Sequence, residues 1–324
     1  MEYRNITPEI KVSRLCFGAL CIGYMQSDLE ISAGAAVLRR AYELGVNFID
    51  TAQLYRTYKY IKAAGLGSLR DVVICSKTYA HTRQLARDAF EEAMDELGRG
   101  DLGYIDIFML HEQEDTDTLE GHFEALEYLL EQKKRGRIKA VGISTHFVSG
   151  VLAAIEFNRR HRNKYKLDVI HPMYNMAGLG IVDGTLADME AALIEAKKGG
   201  FFMFAMKALG GGVLYDRAEE ALRFVLAQPF IDCVAVGMKS LLEVEANAHF
   251  FNEGSFPEAY RGGYHKVGKN LHIDEWCDGC GECAKRCSQG ALEISAGKAR
   301  CNPAKCVLCG YCAAACEDFA IKIV

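Results

Sequence analysis

The sequence lacks several features that would class it at once. Its 324 residues carry 38 Lys and Arg against 43 Asp and Glu, a formal net charge of only −5. So even a balance gives no reason to expect nucleic acid as a partner. The basic runs Lys133-Lys134-Arg135-Gly136-Arg137 and Arg159 to Lys166 read as helix ends or solvated faces. No apolar stretch approaches the roughly 18 residues of a membrane span, and Met1-Glu2-Tyr3-Arg4 lacks the apolar core of a signal peptide. No membrane partner is expected, and the expected location is the cytoplasm. A dinucleotide-binding glycine turn is missing too. Gly18-Ala-Leu-Cys-Ile-Gly23 follows the first apolar run but does not have the spacing found in a doubly wound sheet.

What is present begins with a rhythm. Eight short apolar runs cover residues 15–18, 46–50, 72–77, 105–111, 140–144, 169–175, 201–207 and 231–237. Such runs suit strands buried on both faces. Between them lie segments of helical spacing at 32–44, 82–97, 119–134, 148–161, 185–198, 218–227 and 241–251. Alternating strands and helices over this length predict a (β/α)8 TIM barrel spanning residues 1–252. The loop at 56–66 contains Tyr58, Lys59, Tyr60 and Lys62 and reads as solvated.

In a (β/α)8 barrel, chemistry sits at the carboxyl ends of the strands. Those ends carry Asp50, Lys77 and His111, with Tyr55 in the loop after the second strand. Alone, Tyr55 would more often be a packing residue, Lys77 a solvated strand end, and Asp50 with Thr51 a helix cap. Together at one mouth they form a set for proton transfer to a carbonyl oxygen. Asp50 is expected to hold Lys77 charged, and Lys77 to lower the Tyr55 pKa toward the working range. His111 is expected to hydrogen-bond the carbonyl.

Gly45-Val-Asn-Phe-Ile-Asp50-Thr-Ala-Gln-Leu-Tyr55 resembles the signature of the aldo-keto reductases, over about residues 1–252. The resemblance implies a barrel without a Rossmann domain. It also implies an Asp, Tyr, Lys and His tetrad, here Asp50, Tyr55, Lys77 and His111. The implied reaction is hydride transfer between NADP or NAD and an aldehyde, a ketone or the corresponding alcohol. Ser144 and Thr145 stand where the family usually has a Ser-Asn pair on the nicotinamide carboxamide. His171 replaces a common Gln, and Met206 a stacking aromatic. Lys207, Leu209, Gly210 and Gly211 suit a pyrophosphate, because glycine permits close approach and amides with an ammonium bind anions. Lys239 and Ser240 suit a phosphate at a helix N-terminus. Glu243, followed by Asn247, stands near where NADP-preferring members often place an Arg, which keeps NAD open.

The chain has 13 cysteines, and nine of them fall between Cys277 and Cys316. Cys277-x2-Cys280-x2-Cys283-x3-Cys287 is followed by Cys306-x2-Cys309-x2-Cys312-x3-Cys316. The doubled run resembles the bacterial ferredoxin pattern for two [4Fe–4S] clusters, in which the fourth Cys of each run ligates the other cluster. The assignment is Cys277, Cys280, Cys283 and Cys316 for one cluster, and Cys306, Cys309, Cys312 and Cys287 for the other. Zinc, the competing metal, uses paired C-x2-C knuckles. Ser288 and Glu317 stand where ferredoxins usually have Pro. Cys301 is expected not to be a ligand, and Cys16, Cys21, Cys75 and Cys233 to be small buried hydrophobes. A small ferredoxin-like α+β iron–sulfur domain is therefore expected at 272–324, after a linker at 253–271. The clusters would serve electron transfer or structure. The alternative is an electron-transfer protein whose barrel is a scaffold and whose clusters serve a redox protein partner.

Overall fold

A computed structural model describes residues 1–261, 269–287, 289–306, 308 and 310–324. The chain opens with a hairpin, β1 (Tyr3–Thr7) and β2 (Ile10–Ser13), then β3 (Leu15–Gly18), α1 (Ile31–Glu43), β4 (Phe48–Asp50) and α2 (Tyr58–Ala63). Next come β5 (Val73–Thr78), α3 (Arg83–Glu96), β6 (Ile105–Leu110), α4 (Thr116–Gly121), α5 (Phe123–Lys134), β7 (Ile138–Thr145) and α6 (Val148–His161). The barrel finishes with β8 (Val169–Pro172), α7 (Leu186–Lys198), β9 (Phe202–Ala205), α8 (Ala218–Leu226), β10 (Cys233–Gly237) and α9 (Leu241–Glu253). Strands β3 to β10 close into one parallel barrel, with β10 pairing β3. This is the expected eight-stranded barrel.

Its interior follows from the period of two along a strand. Cys16, Phe48, Val73, Cys75, Ile107, Met109, Ala140, Val169, Phe202, Phe204 and Cys233 form one buried cluster, closed below by Ile10 and Val12 of β2. Two residues on from these positions, toward the carboxyl ends, stand Asp50, Lys77, His111, His171 and Met206. The polar mouth is thus the top layer of the same inward-facing rows. Cys16, Cys75 and Cys233 are buried in this interior, as expected of small hydrophobes.

Two local readings change. The hairpin β1–β2 has a mostly polar, half-exposed first strand and no long apolar run, so it was not expected. Residues 58–63 are not solvated loop but α2. Tyr58 and Tyr60 are each 1% exposed. Their apolar rings are buried while their hydroxyls find partners, Ser76 Oγ at 2.5 Å and the Leu29 carbonyl at 2.6 Å.

Beyond α9 come the short α10 (Glu258–Arg261), β11 (Leu271–Ile273), α11 (Glu282–Arg286), β12 (Leu292–Ser295), β13 (Lys298–Cys301), α12 (Tyr311–Ala314) and β14 (Ile321–Ile323). Strand β11 pairs antiparallel with β14, and β12 with β13. These elements share a small core of Cys283, Leu292, Ala299, Cys312, Ala313 and Ile321. Strand β14 also lies on the barrel. A Cβ on Gly212 would overlap the Ile323 carbonyl oxygen, and one on Gly211 would stand 2.9 Å from the Phe319 ring. Residues 262–268 of the expected linker lie outside the described residues.

Candidate active site

Four elements bring the tetrad together. Asp50 ends β4 and Lys77 lies in β5, and adjacent parallel strands put them side by side. The Lys77 ammonium donates to Asp50 Oδ2 at 2.8 Å and to the Thr51 carbonyl at 3.0 Å. It also lies 5.0 Å from the centre of the Tyr55 ring. Lys77 is 0% exposed and Asp50 4%. Burial works against the ammonium, but Asp50 outweighs it and keeps Lys77 charged, with its pKa above the ordinary lysine value.

Tyr55 ends a single helical turn at residues 53–55. The next residue, Arg56, takes the left-handed conformation at φ 53° and ends that turn. The Tyr55 hydroxyl lies 3.2 Å from His111 Nε2. Tyr79 covers the imidazole at 4.5 Å between ring centres. Burial holds the Tyr55 pKa above its ordinary value, with Lys77 opposing and Asp50 and Glu112 adding to the rise. This reverses the expected direction, because the loss of water around the hydroxyl outweighs the pull of one ammonium already paired with Asp50. The His111 pKa is pushed well down by burial and then by Lys77, His171 and Lys207. His111 is therefore a neutral imidazole, and its buried Nδ1 has no hydrogen-bond partner among the described residues.

A cavity opens at this mouth. Its wall includes Asp50, Tyr55, His171, Met206, Lys207, Leu209, Gly211, Lys239 and Glu243 from the barrel, and Lys269, Lys322, Ile323 and Val324 from beyond it. Cys21 lines it too and is only partly buried, unlike the three cysteines of the barrel interior, because it sits past the end of β3 rather than within a strand. His171 is stacked 3.9 Å from Phe204, donates from Nδ1 to the Phe204 carbonyl at 2.6 Å, and presents Nε2 3.8 Å from Asp50. Burial lowers its pKa to about 4.

Other residues read as cofactor contacts are committed elsewhere. Ser144 Oγ accepts from the Glu112 amide at 2.9 Å. Thr145 Oγ1 accepts from the Phe147 amide at 2.9 Å. Ser240 caps α9 by accepting from the Glu243 amide at 3.2 Å. Asn247 Nδ2 donates to the Glu243 carbonyl at 2.8 Å. Glu243 accepts from the Lys239 amide at 2.7 Å and pairs with Lys269 at 2.6 Å. The turn at Gly210–Gly212 meets β14 and Phe319, so its close approach is used by protein backbone and an aromatic ring. Lys269, Lys322 and Ile323 were not singled out in the sequence. No local motif marks them, since they reach the cavity only through the tertiary position of the tail.

His171 and Met206 line the cavity together with Tyr55, and Lys239 and Glu243 line it together with residues of the tail.

The tail gathers four thiols of the cysteine runs. Cys277, Cys280, Cys283 and Cys316 line one small cavity, together with Ile294, Ala299 and Ile321. Backbone amides point at three of the sulfurs, from Ala299 to Cys277 at 3.5 Å, Ala291 to Cys287 at 3.3 Å and Ala320 to Cys316 at 3.3 Å. Burial raises the Cys287 pKa, and the amides of Ala291, Gln289, Leu292 and Gly290 outweigh it and hold that thiol below its ordinary value. Gly281 and Gly310 hold matching left-handed turns at φ 87° and 80° before α11 and α12. Cys301 and Cys306 hydrogen-bond, and Cys287 is near them. Cys309 and Ser288 lie outside the described residues. Among the described residues no three His, Cys, Asp or Glu converge as on a single metal ion. Four thiols spaced round a cavity suit instead a cluster in which each sulfur binds a different iron.

The family model described as the aldo/keto reductase family matches residues 14–220. An uncharacterized oxidoreductase of Bacillus subtilis, YqkF, is 22% identical over 76% of this chain and 89% of its own length. The L-galactose dehydrogenase of Arabidopsis thaliana is 24% identical over 74% of this chain and 84% of its own. A solved aldo-keto reductase of Pseudomonas aeruginosa shares the fold at TM-score 0.63 and 22% identity, covering 78% of this chain and 94% of that one. No helix among the described residues is long and apolar enough to cross a membrane.

Proposed function

We propose, for a chain that belongs to the aldo/keto reductase family, that it interconverts an aldehyde or ketone and its alcohol, with Tyr55 as the proton donor in reduction. The observation that carries this reading is the Tyr55 hydroxyl 3.2 Å from His111 Nε2, beside a buried Lys77–Asp50 pair. A carbonyl oxygen placed against Tyr55 and neutral His111 meets two hydrogen-bond partners. Tyr55, protonated throughout the working range, gives its proton as charge builds on that oxygen. Lys77 stabilises the phenolate left behind and is itself held by Asp50. A nicotinamide dinucleotide, NADP or NAD, would supply the hydride when bound, held by His171, Met206 and Lys239. Glu243 is engaged by Lys269, which removes the repulsion expected toward a 2′-phosphate and leaves no free carboxylate for a ribose diol. NADP thus gains ground over NAD.

The tail, residues 272–324, is proposed to bind two [4Fe–4S] clusters in the pairing expected from the cysteine runs. The thiol-lined cavity and the amides aimed at sulfur support this. A second reading is favoured by one feature of β14: Ile321 lines the thiol cavity, while Lys322 and Ile323 line the cavity of Tyr55. Under it, electrons pass between the clusters and a redox partner protein, and the barrel is a scaffold. Anaerobic titration with NADH and NADPH, followed by visible spectra, separates the two. Binding with Tyr55-dependent carbonyl turnover supports the first. If neither nucleotide binds, the second stands.

A further inference from the structure

We infer that the carbonyl substrate carries a carboxylate and that Lys207 receives it. The inference rests on Tyr55 acting at the carbonyl, and it names the class of molecule placed there. Lys207 follows β9 and takes the left-handed conformation at φ 56°, which residues with a Cβ avoid. The ammonium lies 3.2 Å from His146 Nε2 and 4.4 Å over the Phe319 ring.

The charges facing it come from several elements. Lys322 of β14 is tied to Asp274. Glu112, after β6, hydrogen-bonds the Tyr79 hydroxyl and stands 3.7 Å from His146. His111, His146 and His171 are all held neutral, chiefly by burial. Among the described residues no carboxylate lies within ion-pair distance of Lys207, whereas Lys77, Lys269 and Lys322 each have one. Lys207 therefore lines the cavity of Tyr55 and Asp50 as an amine with no counter-ion of its own among those residues. Burial, then Lys322, lowers its pKa to about 7, with Glu112 and Asp274 opposing. A substrate carboxylate would restore its charged form. A dinucleotide pyrophosphate is a poorer occupant, because the adjoining glycines face β14 and the ammonium points toward His146, at the end of β7.

The test is calorimetric titration of the whole chain, prepared anaerobically, with and without NADP. The probes are pyruvate against pyruvamide, and succinic semialdehyde against its carboxamide. At least one acid is expected to bind about tenfold or more tightly than its amide, as one charge-assisted hydrogen bond implies. At pH 8 its binding should take up close to one proton, read by comparing buffers of different ionisation enthalpy. Lys207→Gln should remove both effects, and Lys207→Arg should restore the preference. Equal binding of acid and amide, no binding of either acid, or a preference that survives Lys207→Gln would overturn the inference. The wild-type arms decide even if the variant fails to fold. Unchanged carbonyl turnover in Tyr55→Phe would sink the underlying reading instead, so the two failures are distinguishable.

Discussion

The carbonyl oxygen of Ile323 lies where a side chain on Gly212 would have to stand. A strand from the far end of the chain thus lies against the loop that follows β9 and forms part of the wall of the cavity of Tyr55. The barrel's mouth and the cysteine-bearing tail are one piece of structure at this point, although some 110 residues separate the two in sequence.

Gly212→Ala should loosen this joint. Overpacking of this kind costs about 1–3 kcal/mol, and the φ of 93° at Gly212 adds strain. The expected result is a lower thermal midpoint and faster proteolytic release of residues beyond 270, with the barrel intact. Limited proteolysis followed by mass spectrometry reads this directly.

Removing one member of the Lys77–Asp50 pair should be costly. Lys77→Met leaves Asp50 charged and buried, a loss of about 3–5 kcal/mol for a broken buried pair. Asp50→Asn leaves Lys77 without its anion. Replacing both with apolar residues should cost less than the two single changes together. Denaturant unfolding of the three variants gives the comparison.

The pH dependence follows from the directions of the shifts. Burial raises Tyr55, so carbonyl reduction should run level through neutrality and fall only above the ordinary tyrosine value near 10. His111, His146 and His171 all have lowered pKa values. The unfolded chain then binds protons that the folded chain refuses, so stability is held above about 6.5 and lost as pH falls toward 4. Thermal midpoints measured across that window should drop on the acid side. For carboxylate substrates KM should rise above about 7, where Lys207 loses its proton.

Anaerobic protein should contain iron and acid-labile sulfide in equal amounts, about eight of each per chain for two [4Fe–4S] clusters. Cys280→Ala should lower both, while Cys301→Ala should leave them unchanged. Zinc in place of iron, or no sulfide, would remove the cluster assignment.

Much of this was legible in the sequence, for identifiable reasons. Apolar runs such as 105–111 and 169–175 mark strands buried on both faces, so the barrel could be read from them. Asp50, Lys77 and His111 could be found because strand ends are where apolar runs stop. Tyr58 and Tyr60 were misread, since each puts an apolar ring in the core and hides its hydroxyl on one partner. The direction of the Tyr55 shift depends on how much water its hydroxyl loses, which only packing decides. Lys322 and Ile323 reach the cavity through contacts about a hundred residues apart in sequence, which no local pattern encodes. The glycines at 210–212 did signal a close approach, but not by what.

The most direct test of the account is the rate of carbonyl reduction by Tyr55→Phe, measured anaerobically with saturating nicotinamide nucleotide. Loss of the positioned acid should lower kcat by about 10²- to 10⁴-fold, with nucleotide binding and iron content unchanged. Turnover equal to that of the unaltered protein would contradict it.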